Sequence, residues 1–89
     1  MLQETIMIQN KLGLHTRAAA KLVAVASQFE SDIQIVRNQQ QANCKSIMAL
    51  ILLGATKNMQ LNLIISGADE LEARAAIVQL INDRFNEVE

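Results

Sequence analysis

Apolar and polar residues alternate along this chain at two distinct periods. Residues 2–8 place Leu2, Glu4, Ile6 and Ile8 on one side of an extended backbone and Thr5 and Met7 on the other, as in a strand. Asn10-Lys11-Leu12-Gly13 then turns the chain. From Thr16 to about Phe29 the period changes, and Ala19, Leu22, Val23, Ala26 and Phe29 recur at the three-and-four spacing of a helix among good helix formers. Residues 32–37 alternate again through Ile33 and Ile35. After Asn38-Gln39-Gln40, Ala42 and Cys44 predict a short returning strand, closing a hairpin.

The apolar run Ile47 to Leu53 fits a buried strand or a helix on its own. Its brackets decide for a helix of about two turns, with Ser46 as N-cap and Gly54 past the end. Residues 59–66 alternate at Leu61, Leu63 and Ile65 as a fourth strand. Asp69 and Glu72 resemble a capping box, predicting a helix that reaches Phe85 with the stripe Leu71, Ala75, Val78, Ile81 and Phe85. The order βαββαβα, with helix stripes on one side, predicts an α+β two-layer open-faced sandwich: a four-stranded antiparallel sheet with three helices on one face. The other face would carry Gln3, Thr5, Gln34, Gln60 and Asn62, interrupted by Met7 and Ile64.

Eighty-nine residues suffice for one hydrophobic core, so one domain spanning 1–89 is expected. With 51% hydrophobic and only 2% aromatic residues, that core must be aliphatic. No apolar stretch approaches the roughly 20 residues that cross a bilayer, and the first residues lack the basic and small-residue signals of a secretory leader, which points to the cytoplasm. A lone Cys44 makes neither an internal disulfide nor a clustered metal site, and reads as a small packed residue. The net charge of −1 argues against a nucleic-acid binder. Charge is nonetheless uneven. Between Thr5 and Phe29 the only charges are Lys11, Arg17 and Lys21, whereas Asp69 to Glu89 holds six acids against Arg74 and Arg84, so the surroundings of the single histidine read as locally positive.

That histidine, His15, lies between a glycine turn and a helix start. Free N–H groups and the positive end of the helix dipole would meet a phosphate carried on its ring, and the same field disfavours imidazolium, leaving a neutral nitrogen to attack phosphorus. Arg17 could steady the phosphoryl oxygens. With no second histidine and no acid at helical spacing, metal binding and general acid–base hydrolysis lack support, and no cofactor is expected. A histidine that merely flanks a helix is the bland alternative.

The stretch Lys11-Leu12-Gly13-Leu14-His15-Thr16-Arg17-Ala18-Ala19 resembles the active-site signature of the HPr family of bacterial phosphotransferase-system carriers, and Lys45-Ser46-Ile47-Met48-Ala49-Leu50 resembles that family's regulatory-serine region. The resemblance covers essentially the whole chain. It implies a carrier, not an enzyme, phosphorylated on His15 Nδ1 by phospho-enzyme I, with Arg17 supporting the phosphoryl group and a IIA component as receiver. It further implies Ser46 as the target of an HPr kinase/phosphorylase, and Ile47, Met48 and Ile51 as a patch for docking enzyme I. Thr16 and Ala20 count as further partner-docking residues, and the working form would be a monomer without nucleic-acid or membrane partners. The chain departs from the family pattern at Ala18, where proline is usual, at Asn43 and Cys44 before the serine motif, and at Ala24 and Ser27, where sugar-branch carriers often have lysines. A regulatory module that docks according to its phosphorylation state is the competing reading.

Overall fold

In the computed structural model, which describes residues 1–89, the chain runs β1 (Leu2–Met7), α1 (Thr16–Ala26), β2 (Asp32–Arg37), β3 (Gln40–Asn43), α2 (Ile47–Leu52), β4 (Gln60–Ser66) and α3 (Glu70–Asn82), closing with a single tight turn at Arg84–Asn86. The strands form one sheet in the order β1-β4-β2-β3, every neighbouring pair antiparallel. The order, the sheet and its open face are those the hydrophobic pattern predicts.

Register explains the core. Leu63 lies between Glu4 of β1 and Ile35 of β2, and Ile65 between Leu2 and Ile33, so one sheet face gathers Ile6, Ile33, Ile35, Leu61, Leu63 and Ile65, all buried. The helices cover this face with Ala18, Ala19, Leu22 and Ala26 of α1, Leu50 of α2, and Ala73, Ile77, Leu80 and Ile81 of α3. On the open face Gln3, Thr5, Gln60 and Asn62 are exposed, while Ile64 is half-buried between Gln3 and Gln34. Cys44 is a fully buried member of the core, and its thiol is pushed up to about 12 by burial and by the nearby charge of Asp32. It stays a neutral packing group.

The helix ends depart from the sequence reading. Helix α1 stops at Ala26, and Phe29 packs on the core from the following turn. Helix α3 stops at Asn82 and presents the stripe Ala73, Ile77, Leu80, Ile81, about half a turn from the expected Leu71, which is 64% exposed. Phe85 does reach the core, but from a turn in which Arg84, Phe85 and Asn86 take left-handed φ of 57°, 53° and 62°.

Asp69 departs as well, because it makes no cap bond to α3. Its carboxylate instead accepts from the amides of Glu30 (2.9 Å) and Ser31 (3.0 Å) and from Ser31 Oγ (2.5 Å), tying the entry of β2 to the entry of α3. Gly67 makes room for this knot, because a Cβ there would stand 2.5 Å from Ser31 Oγ. The Ser31 hydroxyl, then the Glu30 amide, hold the Asp69 carboxyl below its usual range, against a smaller upward pull of desolvation. A carboxyl lowered on folding stabilises the fold fully above its unfolded pKa, and that contribution is lost as pH falls through the folded value. Asp69→Ala should therefore lower the melting temperature at neutral pH and flatten its decline below about pH 4. Melts over an acid series that run parallel for the two proteins would remove Asp69 from the account.

Candidate functional site

His15 is the N-cap of α1, in an extended conformation (φ −79°, ψ 180°), and its carbonyl accepts the first intrahelical bond from Ala19 (2.8 Å). The amides of Thr16, Arg17 and Ala18 thus precede Ala19, the first amide to donate within the helix, and form the usual set of free donors at a helix start. The turn before His15 is locked from several sides. Gly13 has φ +70°, and a Cβ on it would fall 2.5 Å from the Ala55 carbonyl oxygen, so only glycine lets the turn lie this close to the chain after α2. The Leu14 amide donates to that carbonyl (3.0 Å), and the buried Asn10 Nδ2 donates to the Gly13 carbonyl (2.7 Å).

The ring of His15 is about a quarter exposed, and its Nε2 lies 2.5 Å from Oε2 of Glu87, a residue 72 positions away. Nδ1 has no hydrogen-bond partner. The other oxygen of Glu87 accepts from Asn10 Nδ2 (3.0 Å). Burial pulls the Glu87 carboxyl upward, but the hydrogen bonds from Asn10 and His15, with the charges of His15 and Lys21, outweigh it and leave the group below its usual range. It is therefore an ionised acceptor.

Segment 83–89 is fastened on both sides of that carboxylate. Lys21 Nζ donates to the Phe85 carbonyl (2.6 Å), the Lys11 amide donates to the Glu89 carbonyl oxygen (2.5 Å), and Lys11 Nζ lies 3.4 Å from the Glu89 carboxylate. The positive surroundings expected of His15 are thus largely met by acids from the far end of the sequence. Arg17 is left as the exposed cation beside the histidine, bonded to neither His15 nor Glu87.

A surface depression of about 890 Å³ collects His15, Thr16, Arg17, Ala20 and Lys21 with residues of segment 86–89. Ser46, Ile47, Met48 and Ile51 lie outside it, on α2. Ser46 caps that helix as the sequence predicts, its Oγ accepting from the Ala49 amide (3.2 Å). Met48 is 65% exposed, Ile47 is exposed and Ile51 half-buried. Glu87 and Asn10 escaped the sequence reading, because partners sought at helical spacing exclude a carboxylate so distant in sequence. Asn86 offered a signal, since asparagine next to a core phenylalanine tolerates the left-handed turn better than most residues.

Comparison with known proteins gives this geometry its context. Residues 2–83 match the family model described as PTS HPr component phosphorylation site. Phosphocarrier protein HPr of Neisseria meningitidis serogroup A is 47% identical over 89 residues, with both chains covered completely. The crystal structure of HPr from Thermoanaerobacter tengcongensis superposes with a TM-score of 0.95 at 42% identity, again over the whole of both chains. The Bacillus subtilis catabolite repression containing protein Crh superposes with a TM-score of 0.76 at 32% identity, covering 94% of this chain and 97% of its own. With a family match over nearly all its length and full-length relatives well above the level that fixes a family, this chain belongs to the HPr phosphocarriers of the phosphotransferase system, proteins that carry phosphate and are not enzymes.

Proposed function

We propose that this protein accepts a phosphoryl group on His15 Nδ1 from phospho-enzyme I and passes it to a IIA component, working in the cytoplasm as a monomer. The observation that carries the reading is the state of His15: an N-cap histidine whose Nε2 is engaged by a carboxylate and whose Nδ1 is unpartnered, at the start of an eleven-residue helix. A phosphoryl group on Nδ1 would neighbour the free amides of the first turn, and the exposed charge of Arg17 would add to them. Thr16 and Ala20, exposed around the same depression, contribute to partner docking.

Ser46 is the proposed regulatory position, modified by an HPr kinase/phosphorylase. A phosphate there would meet the free amides and positive end of α2, so the fold should accept it. Ile47, Met48 and Ile51 form the proposed apolar docking patch for enzyme I, and added charge at its border must be desolvated whenever a partner docks. The family likeness extends to a structure named for catabolite repression, which keeps a docking regulator as the second reading. That reading requires no transfer through His15.

His15→Ala should abolish phosphoenolpyruvate-dependent labelling while leaving the fold intact, because the ring lies outside the core; persistent labelling would place the phosphate elsewhere. Arg17→Ala should slow transfer without stopping it, since the guanidinium stabilises charge and forms no bond to phosphorus. Wild-type rates would take Arg17 out of the site. Ser46→Asp should slow His15 labelling roughly tenfold, the scale of one desolvated charge at an interface, with the fold intact. An unchanged rate would reduce Ser46 to a helix cap.

A further inference from the structure

We infer that Glu87, oriented by Asn10, is a positioning residue that holds a proton on His15 Nε2 and so reserves Nδ1 as the nucleophile. The inference builds on the phosphoryl-acceptor reading of His15 and adds how the ring is prepared. The geometry is a directed chain. Asn10 Nδ2 donates both to the Gly13 carbonyl (2.7 Å) and to Glu87 Oε1 (3.0 Å), which fixes which end of the Asn10 amide faces the carboxylate. Asn10 is fully buried and its Oδ1 has no partner, so the two acceptors facing Nδ2 alone set this orientation, since the reversed amide would put its oxygen against both of them. Glu87 Oε2 then meets His15 Nε2 at 2.5 Å. A carboxylate held ionised can only accept, so the neutral ring must present Nε2–H to it and a lone pair at Nδ1.

The arrangement matters in both directions of transfer. On loading, the Nδ1 lone pair forms the bond to phosphorus, and the bond between phosphorus and the donor atom breaks with its electron pair returning to the donor. The Nε2 proton stays where it is. On unloading, the acceptor's lone pair attacks phosphorus and the Nδ1–P bond breaks with its pair returning to Nδ1. With Nε2 protonated, the group that departs is a neutral imidazole. Without that proton it would be an imidazolate anion, a far poorer leaving group. Glu87 therefore supports transfer from the side of the ring opposite the phosphoryl group, without touching phosphorus.

Glutamine at position 87 gives a sharp test. Asn10 presents N–H, so the amide introduced by Glu87→Gln would turn its oxygen to Asn10 and its NH2 to the ring. That arrangement stabilises the tautomer with Nε2 as acceptor and the proton on Nδ1, which blocks the nucleophile. Nitrogen-15 NMR of the free protein, at a pH above the titration range of imidazole, should find His15 protonated on Nε2 in wild type. Glu87→Gln should shift it toward Nδ1–H. Labelling with phosphoenolpyruvate and enzyme I should slow by about tenfold or more in Glu87→Gln and by less in Glu87→Ala, which leaves the ring its own preference. Glu87→Asp should restore part of the loss.

An Nδ1–H tautomer in wild type, or a Glu87→Gln spectrum and labelling rate equal to wild type, would overturn the inference. The NMR arm needs no partner protein. Absence of labelling in wild type would count against the phosphocarrier reading alone, and the tautomer result would still decide the role of Glu87.

Discussion

The burial of Phe85 is the contact on which the arrangement around His15 depends. Its ring is fully enclosed in the core, yet the chain delivers it from a turn of three consecutive left-handed residues. Such residues cost about 1–2 kcal/mol each. Enclosing a phenylalanine side chain returns about 3 kcal/mol, and a hydrogen bond from an ammonium such as Lys21 to the Phe85 carbonyl adds about 1.5–3 kcal/mol. The two sides are nearly equal. The last turn is held in place, but by a small margin that the Asn10–Glu87–His15 chain helps to supply.

This balance ties the site to the fold more closely than the linear sequence implies. His15 and Glu87 stand far apart in the chain, at the N-cap of α1 and beyond α3. They meet because α1 and α3 pack side by side on the same sheet face and Phe85 closes the end of that layer. A truncation or a core change at Phe85 would thus release the carboxylate from the histidine without altering any residue of the His15 loop.

Strands β1, β2 and β4 were legible to within a residue, because a sheet covered on one face enforces strict alternation, and Ile33, Ile35, Leu61, Leu63 and Ile65 obey it, whereas β3 takes in Gln40, which the sequence places in the turn, and stops short of Cys44. Ser46 was legible as a cap because its bond runs to a residue three positions on. Local chemistry is readable locally. Asp69 misled for the opposite reason: it stands in a cap position, but its oxygens are taken by Glu30 and Ser31, which only the tertiary fold brings near. The α3 stripe was misphased because alanines and aliphatics occur on both sides of that helix, so Leu71 looked as fit for the core as Ile77. Among the residues around the histidine, His15, Arg17, Thr16 and Ala20 were named from sequence, whereas the Glu87 and Asn10 partners required two chain ends and a buried turn to be assembled.

The start of α1 shows how a fold can replace a local signal with a distant one. Ala18 lacks the preset backbone angle that proline would bring to the first turn. Here the same end is achieved from outside the helix. Gly13 lies against Ala55, the Leu14 amide is bonded to the Ala55 carbonyl, and Asn10 grips the Gly13 carbonyl, so the backbone enters His15 along one fixed path before the helix begins. Ala18 itself is completely buried, and its small side chain lets α1 settle into the core layer. Ala55 belongs to the chain just after α2, so the contact that fixes the entry to His15 also joins the histidine loop to the end of the helix that Ser46 caps. The two candidate phosphorylation positions lie on separate helices, and this shared backbone contact gives them a common rigid support.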